Sequence, residues 1–323
     1  APAQAGPGLL EACFAPATLA AAPSERRPVK GIRRFDAPPP PRTLVPFAPV
    51  PPERRGAIRR VELPAGRKLI ALTLDLCEQP GEVAGYDGAI IDYLRAHGIK
   101  ATLFAGGKWM RSHPERTRQL MADPRFELAN HAEAHRNLRL LAGAALAEEI
   151  AGPQRAYEAA REQLSQMQCV TGHEAELAHV PRRMGLFRFP FGACSAAALA
   201  AVNDAGLLAI QWDLSTGDPS PTQSAAAIAA AMVGNVRPGS IIIAHANGRG
   251  HNTAAALPIA IPKLRAAGYE LVTVSELIAA GKPVIANTCY DSRPGDTDRY
   301  DRLFPSIAAR PPSPKGWRTE IKP

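Results

Sequence analysis

Short apolar runs alternate with segments of helical periodicity along the middle of this chain. Residues 68–74 form a nearly continuous apolar run that ends at Asp75, which is the pattern of a strand buried inside a parallel sheet. From Tyr86 to His97 the apolar residues recur at helical spacing, and this pattern stops at Gly98. The same criteria predict further strands at residues 100–104, 125–129, 186–189, 207–212, 240–244 and 270–274.

Helical segments separate these predicted strands. They are expected at residues 114–122, 141–166, 196–206, 223–233, 253–267 and 275–280. Pro153 should break or kink the longest of them. Strand–helix alternation with short connections predicts an α/β fold, and polar residues at many strand ends favour a parallel (β/α) barrel over an open sheet. We assign the barrel to residues 61–286, between an irregular N-terminal extension (1–60) and an irregular C-terminal tail (287–323).

The net charge of +8 arises from one segment. Residues 26–60 carry ten Lys and Arg residues against Asp36 and Glu53, which leaves the remainder of the chain neutral overall. A basic arm can hold nucleic acid, anionic lipid or an acidic wall polymer. Because the same segment has nine prolines and almost no aromatic residues to stack on bases, we expect a solvated, extended arm and no nucleic-acid partner.

Apolar residues make up 46% of the chain, which excludes global disorder. No apolar run approaches the roughly 18–20 residues of a membrane span. The first residues, 1–4, resemble the new end left by a signal peptidase, so we expect an exported protein, periplasmic or secreted. Some of the five cysteines should then pair. The pairings considered are Cys77 with Cys194, at the barrel mouth, and Cys13 with Cys289, between the two extensions.

Two histidines four residues apart, His131 and His135, follow the strand predicted at residues 125–129. One helical turn between them would bring both imidazoles to a single metal ion at the barrel rim where active sites gather. An isolated pair with this spacing is as often a pair of surface histidines. Polar residues at other strand ends favour a site here, namely Asp75, Arg188, Asp218 and His245.

These strand-end residues, taken in order, resemble the five motifs of the NodB-homology polysaccharide deacetylases, carbohydrate esterase family 4. The matching segments are Thr73-Leu74-Asp75, the His131/His135 pair, Arg188-Phe189-Pro190-Phe191, Asp218 and Ile243-Ala244-His245. Each motif alone is weak, but five in order over residues 67–282 are specific. The resemblance implies a distorted (β/α) barrel with a divalent metal, usually zinc, that removes N- or O-acetyl groups from polysaccharides.

The chemistry of the residues and the resemblance assign the same roles. His131 and His135 hold the metal. Asp75 takes a proton from the attacking water as general base. The alternative without a catalytic role is that Asp75 caps the N-terminus of a helix. Arg188 keeps the Asp75 carboxylate ionised. The alternative without a catalytic role is that Arg188 is a surface cation at a strand end. His245 protonates the departing group. The alternative without a catalytic role is that His245 is a histidine of the core.

The remaining predicted residues support this centre. Asp218 orients the imidazole of His245. The backbone N–H of Phe191 helps to stabilise the oxyanion, and Phe191, Pro190 and Trp212 are expected to contact the sugar.

One departure from the family pattern concerns the third metal ligand. The family usually has two adjacent acids after the first strand, and here the pair is Asp75-Leu76. Three alternatives stay open: Glu78 reaches the metal, Asp75 itself ligates, or two histidines and water molecules bind it. Where the family often has tryptophan, this chain has Pro219, which indicates a different wall of the sugar groove.

The favoured function is therefore hydrolysis of acetyl groups, N-acetyl above all, from a peptidoglycan or chitin-like glycan. One alternative keeps the fold without the activity, as a catalytically weakened glycan-binding protein. Another is a metal-dependent hydrolase of a non-sugar amide. A nucleic-acid binder acting through residues 26–60 would lose affinity steeply with salt and would not need His131. The oligomeric state is left open.

Overall fold

The structure, a computed structural model, describes residues 8–44 and 46–305. Within them, the strands are β1 Val29–Lys30, β2 Ala57–Glu62, β3 Leu69–Leu76, β4 Glu82–Val83, β5 Ala101–Ala105, β6 Phe126–Asn130, β7 Leu186–Phe187, β8 Leu208–Ile210, β9 Leu214–Ser215, β10 Ile241–His245, β11 Glu270–Leu271 and β12 Lys282–Ala286. The helices are α1 Leu9–Cys13, α2 Pro16–Leu19, α3 Gly88–Ala96, α4 Gly107–Ser112, α5 Pro114–Ala122, α6 Gly143–Ser165, α7 Glu174–His179, α8 Ala196–Asp204, α9 Ala225–Gly234, α10 Thr253–Ala266, α11 Val274–Ala279 and α12 Arg299–Leu303.

Ten of these strands form one curled sheet. Its order is β12-β2-β8-β7-β6-β5-β3-β10-β9, with β11 beside β3. Neighbouring strands are parallel except β12, which runs antiparallel to β2. An isolated bridge between Arg60 and Ser240 brings the chain ahead of β10 close to β2, so the sheet curls towards closure. The predicted α/β fold, a distorted (β/α) barrel, is confirmed.

Strand β3 lies between β5 and β10 in the sheet, and all eight of its residues are buried. Side chains alternate between the two faces of a strand. Every second residue packs into the core beneath the helices, namely Ile70, Leu72, Leu74 and Leu76. Leu69 and Ala71 belong instead to the core inside the curled sheet. The alternation therefore directs Thr73 and Asp75 to the interior face.

The solvated arm predicted from composition is found only in part: most residues between 26 and 55 are exposed, whereas residues 9–14 and 57–62 contribute to the packed fold. Leu9, Leu10 and Phe14 are buried in the main core, because α1 packs against the segment that follows α6. Residues 57–62 form β2 inside the sheet, so the predicted boundary at residue 60 falls within a strand. Several of the segment's cations pair with carboxylates elsewhere, including Arg26 with Asp87, Lys30 with Glu82, Arg42 with Glu162 and Arg55 with Asp204.

The cysteine pairings predicted from the sequence are wrong. The disulfides join Cys13 to Cys169 and Cys194 to Cys289, and Cys77 is free and buried. The first bond fastens α1 beside α6, and the second fastens the C-terminal tail beside α8. Sequence alone did not reveal these contacts because they depend on how both terminal segments wrap around the barrel.

Helix α6 continues through Pro153, so the predicted break is wrong. A proline inside a helix removes one backbone donor and crowds the preceding turn, at a cost of about 3 kcal/mol. Ten residues along α6 are buried, and this packing outweighs the local cost. Of the helices in the described part of the chain, none has the length and apolar character needed to cross a bilayer.

Candidate active site

The carboxyl ends of β3, β6, β7 and β10 meet at one mouth of the curled sheet. The register between β10 and β3 places His245 directly beside Asp75. The last residue of β6 pairs with the last residue of β7, so the residues that follow, His131 and Arg188, are also neighbours. Four side chains that are distant in sequence are thereby brought together.

Arg188 is fully buried beneath this mouth, and its guanidinium is surrounded by acceptors. Nη1 donates to Asp75 Oδ1 (2.8 Å) and to Thr73 Oγ1 (2.7 Å). Nε and Nη2 donate to the carbonyls of Ile210 (3.4 Å) and Gln211 (3.3 Å). A buried guanidinium is tolerated when its donors are satisfied and a carboxylate balances its charge. Arg188 therefore fixes the orientation of Asp75, in the arrangement that the sequence predicts.

The carboxylate of Asp75 is ionised at neutral pH. Burial on its own raises the pKa of Asp75, but the positive charges around it, including Arg188, outweigh burial and hold the pKa below its usual value. The second oxygen, Oδ2, lies 3.4 Å from His131 Nε2. This oxygen is therefore directed into the site as a proton acceptor.

The two histidines lie on a loop and not on the helical turn that their spacing suggested. Strand β6 ends at Asn130, and both Ala132 (φ 63°) and His135 (φ 50°) adopt the left-handed conformation. Asn130 stabilises this bend, since its Oδ1 accepts from the N–H of Ala132 and its Nδ2 donates to the carbonyl of Ile150. Left-handed residues other than glycine cost about 1–3 kcal/mol and cluster at functional sites.

The ring nitrogens of both histidines are prepared to bind a cation. His131 Nδ1 donates to the backbone carbonyl of Arg188 (2.9 Å), which leaves the lone pair on Nε2. Among residues 8–44 and 46–305, neither Nε2 of His131 nor Nδ1 of His135 has a hydrogen-bond partner, and both atoms are buried. Burial lowers the pKa of both imidazoles, so they are neutral at physiological pH. Neutral imidazoles oriented by a backbone acceptor are suitable ligands for a divalent cation.

Cys77 lies with the two histidines. Its Sγ and one ring nitrogen from each of His131 and His135 are all within 4.8 Å of one another. No other group of three potential ligands is this close in residues 8–44 and 46–305. Burial raises the pKa of the Cys77 thiol to about 12 in the absence of a cation. Sequence reasoning treated Cys77 only as a disulfide candidate.

Glu78, the predicted third metal ligand, is not in this cluster. Its oxygens accept from Ser112 Oγ (2.6 Å) and the N–H of Ala84 (3.0 Å), and Lys108 Nζ is 3.4 Å away. Leu76 is equally unavailable because it packs beneath the helices. The predicted ligation by Glu78 is wrong because the chain turns away from the mouth after Cys77. The side chain of Glu78 therefore lies among the buried contacts of this turn.

A buried lysine, which sequence reasoning missed, maintains that turn. Lys108 Nζ donates to the carbonyls of Gln79 (2.8 Å) and Glu82 (2.7 Å) and pairs with Asp36 (2.8 Å). Lysine is rarely buried unless its ammonium is paired. Lys108 therefore fastens the loop after β3 to α4 and to the N-terminal segment. Nothing in the spacing of residues around Lys108 distinguished it from an exposed helical lysine.

His245 and Asp218 form a hydrogen-bonded pair on the other side of the site. His245 Nδ1 is 2.9 Å from Asp218 Oδ1, while Oδ2 accepts from the N–H of His245 (2.8 Å) and from Thr253 Oγ1 (2.6 Å). Burial on its own lowers the pKa of His245, but the carboxylate of Asp218 more than offsets burial and raises it. The imidazole is thus held in one orientation and kept protonated to higher pH.

An open cavity of about 530 Å³ lies above these groups. Its base includes Asp75, Cys77, His135 and His245, and its walls include Phe189, Phe191, Trp212, Pro219, Tyr300 and Phe304. Phe191 and Trp212, which the sequence predicts to contact the sugar, line this cavity. Pro190 is buried and is not among the lining residues. Phe191 has a φ of 61°, and this left-handed turn directs its ring towards His135, at 4.5 Å between ring centroids.

The C-terminal tail completes one wall of the cavity, which the sequence did not suggest. The ring of Phe304 stacks on Phe191, with centroids 4.4 Å apart, and Tyr300 lies 5.2 Å from Phe191. Trp212 Nε1 donates to Asp291 Oδ1 (2.8 Å). The Cys194–Cys289 disulfide fastens the tail in this position.

Comparison with known proteins agrees with this geometry. Residues 62–210 match the family model described as polysaccharide deacetylase. A chitooligosaccharide deacetylase of Azorhizobium caulinodans is 29% identical over 197 residues, covering 57% of this chain and 83% of its own length. A peptidoglycan-N-acetylglucosamine deacetylase of Bacillus cereus is 27% identical over 221 residues, covering 67% and 91%. Residues 62–210 therefore resemble the polysaccharide deacetylases, both by the family model and by these relatives.

Solved structures with the same fold include an esterase and a pseudoenzyme. A family 4 acetyl xylan esterase from Clostridium thermocellum, in complex with a cobalt ion, has a TM-score of 0.51 and 26% identity, covering 66% of this chain and 91% of its own. A carbohydrate esterase family 4 pseudoenzyme from Bacillus anthracis has a TM-score of 0.56 and 22% identity, covering 69% and 68%. At that identity the second match reports only the fold.

Proposed function

We propose that this protein is a metal-dependent hydrolase that removes acetyl groups, N-acetyl above all, from an extracellular polysaccharide. The observation that carries the proposal is the unpartnered, buried Nε2 of His131, 3.4 Å from the Asp75 carboxylate at the base of an open cavity. A proton acceptor beside unpartnered cation ligands is the combination that hydrolysis of an acetyl group requires.

Asp75 acts as the general base. Its free oxygen faces the site, and its ionised state is favoured by the hydrogen bond from Arg188. An attacking water between Asp75 and the acetyl carbonyl would transfer a proton to Oδ2 as its oxygen bonds to carbon. Because Arg188 donates to Oδ1, the two oxygens of the carboxylate have separate tasks.

His131 and His135 would hold the cation, and we propose zinc because neutral imidazoles are among its preferred ligands. When bound, the cation supplies Lewis acidity to the acetyl carbonyl and lowers the pKa of water. The backbone N–H of Phe191 would donate to the developing oxyanion. His245 would then protonate the departing amine, with Asp218 holding its ring in position.

The cavity wall and the relatives support an N-acetylated sugar polymer as substrate. Aromatic faces such as Phe191, Trp212 and Phe304 suit the apolar faces of sugar rings. The named relatives act on chitooligosaccharide and on peptidoglycan N-acetylglucosamine. Two disulfides agree with an oxidising compartment, which supports export to the periplasm or beyond. Pairing of several arm cations with carboxylates argues against nucleic acid as a partner.

The alternative is a glycan-binding member without activity. Leu76 favours it, because the position where the family usually carries a metal-ligating acid lies in the helix-facing core. Acetate release from N-acetylated chitooligosaccharides, acetylated xylan and a non-sugar acetamide, with and without a chelator, separates the possibilities. Chelator-sensitive release from the sugar substrates supports the deacetylase. Glycan binding without acetate release supports the alternative, and release from the acetamide alone supports a non-sugar amidase.

Asp218→Asn is expected to move the alkaline limb of the kcat/KM profile to lower pH by roughly 1–3 units, the usual effect of one neighbouring charge on a pKa. His245 donates its proton only below its pKa, and Asp218 is the group that raises this pKa. Without the carboxylate charge, His245 loses its proton at a lower pH and can then no longer donate it. Thr253→Val is the matched control, since it removes a hydrogen bond to Asp218 and leaves the charge. An unchanged alkaline limb in Asp218→Asn would contradict the assigned role.

Phe304→Ala is expected to raise KM for an oligosaccharide roughly 2- to 10-fold with kcat nearly unchanged, because one aromatic contact contributes about 0.5–1.5 kcal/mol. Phe304 lines the cavity wall, where it stacks on Phe191, and it carries no group that can transfer a proton. Leu303→Ala is the control, since this adjacent side chain is 64% exposed and does not line the cavity. If Phe304→Ala and Leu303→Ala have the same KM, the aromatic side chain of the tail does not contribute to substrate binding.

A further inference from the structure

We propose that the thiolate of Cys77 is the third protein ligand of the cation, in the role that the family usually gives to a carboxylate. This inference rests on the proposed function only in requiring that a cation binds at His131 and His135. It defines a sulfur-containing centre in a family whose pattern leads one to expect nitrogen and oxygen donors alone.

The alternation of β3 directs Cys77 to the site. Leu74 and Leu76 pack beneath the helices, whereas Thr73 and Asp75 face the interior. Continuing the two-residue period by one step places Cys77 on the same side as Asp75. The cavity lining agrees, because it includes both Asp75 and Cys77.

The spacing of the donor atoms fits one cation after a small contraction. Cys77 Sγ and the two imidazole nitrogens are separated by at most 4.8 Å. Tetrahedral zinc with bonds of about 2.0–2.3 Å would bring such donors to roughly 3.4–3.6 Å of one another. The separation therefore closes by at most about 1.4 Å on binding, a movement within the range of side-chain adjustment.

A buried amide holds the sulfur in place. Asn247, itself fully buried, donates from Nδ2 to Cys77 Sγ (3.0 Å) and to the carbonyl of Cys77 (2.8 Å). Hydrogen bonds from residues that surround metal ligands hold those ligands in position and tune their charge.

Other candidates for this position are occupied. Both oxygens of Glu78 accept hydrogen bonds away from the cluster. Asp75 gives one oxygen to Arg188, and its other oxygen is required as the proton acceptor. Cys77, by contrast, has no disulfide partner, although the other four cysteines of the chain are paired.

Binding is a proton exchange without a redox step. The S–H bond of Cys77 breaks, its proton passes to solvent, and the sulfur lone pair forms the bond to the cation. A thiolate with two imidazoles selects zinc or cobalt over magnesium and calcium, which prefer oxygen ligands.

Cobalt(II) substitution tests the inference directly on the full chain. Stripped protein titrated with cobalt should develop a near-ultraviolet thiolate-to-cobalt charge-transfer band that saturates at one ion per chain. Cys77→Ser should lack this band and bind cobalt at least about 100-fold more weakly, since loss of an outer-shell partner alone costs 10–100-fold. Glu78→Gln is the matched control and should retain both the band and the affinity.

A second measurement does not depend on any variant. Zinc-edge X-ray absorption of the zinc-loaded protein should show one sulfur at about 2.3 Å from the metal, and only Cys77 can supply it because the other four cysteines are paired. Cobalt-loaded wild type without a charge-transfer band, or zinc-loaded protein without a sulfur neighbour, would overturn the inference. If acetate release still depends on metal in that case, the proposed function stands. If cobalt binds through sulfur but no acetyl group is released, only the proposed function fails.

Discussion

Asp75→Asn lowers acetate release about 10²- to 10⁴-fold, the contribution expected of a general base. Asparagine preserves the shape of the side chain but cannot accept the proton of the attacking water. It retains one oxygen that can accept from Arg188, so the chain still folds. The measurement is kcat for acetate release at saturating oligosaccharide, together with circular dichroism of the purified variant.

Asp75→Asn also removes the negative charge that balances the fully buried Arg188. A loss of stability must therefore be separated from the loss of the general base. Thr73→Val is the matched control. It removes another acceptor of Arg188 Nη1, and a donor to the carbonyl of Ile242, without touching the base. We expect Thr73→Val to be destabilised by the loss of these two hydrogen bonds, while kcat stays within about tenfold of wild type because Asp75 and its hydrogen bond from Arg188 remain. If Asp75→Asn retains a rate within a few-fold of wild type, Asp75 is not the base.

His131→Ala is expected to abolish both cation binding and acetate release. The Nε2 atom that would contact the cation is lost, and so is the hydrogen bond that orients it against the Arg188 carbonyl. With one imidazole removed, cation affinity should fall at least about 100-fold, more than the loss of an outer-shell partner. The measurement is metal content after dialysis, paired with the rate of acetate release.

The control for this prediction is His97→Ala. His97 is an exposed histidine that follows α3, just ahead of β5, and so lies at the opposite end of the strands from the site. It should keep wild-type metal content and rate. Full activity in His131→Ala would show that the histidine loop is not the cation site.

The sheet was predictable because its strands are buried on both faces. A run such as residues 69–76 is apolar apart from Thr73 and from Asp75, which lies near the end of the strand at the mouth. Asp75, Arg188 and His245 could therefore be found from sequence, since their position after an apolar run is itself the signal. Their convergence follows from parallel register, as the pairing of His245 with Asp75 demonstrates.

The third ligand was harder to predict for a physical reason. Comparison with the family motif directed attention to Leu76 and then to Glu78, the nearest carboxylate. Side-chain alternation alone would have excluded Leu76 from the interior and indicated Cys77. What no pattern indicated was the buried contact between Glu78 and Lys108, which depends on a turn closed by the N-terminal segment.

The terminal segments were misjudged because composition does not report what a segment packs against. Proline and arginine predicted a solvated arm, yet Arg59 is buried and donates to the carbonyls of Tyr290 and Asp291 in the tail. Likewise, the spacing of His131 and His135 predicted a helical turn. The pair does come together, but through a loop with left-handed residues that no periodicity describes.

The most direct test of the catalytic assignment is acetate release by metal-stripped protein during titration with zinc, using an N-acetylated chitooligosaccharide. We predict negligible release without zinc, a linear rise that ends at one equivalent per chain, and no rise in His131→Ala. Stripped protein that already works at the full rate would contradict the assignment, as would wild type that binds one equivalent of zinc and liberates no acetate.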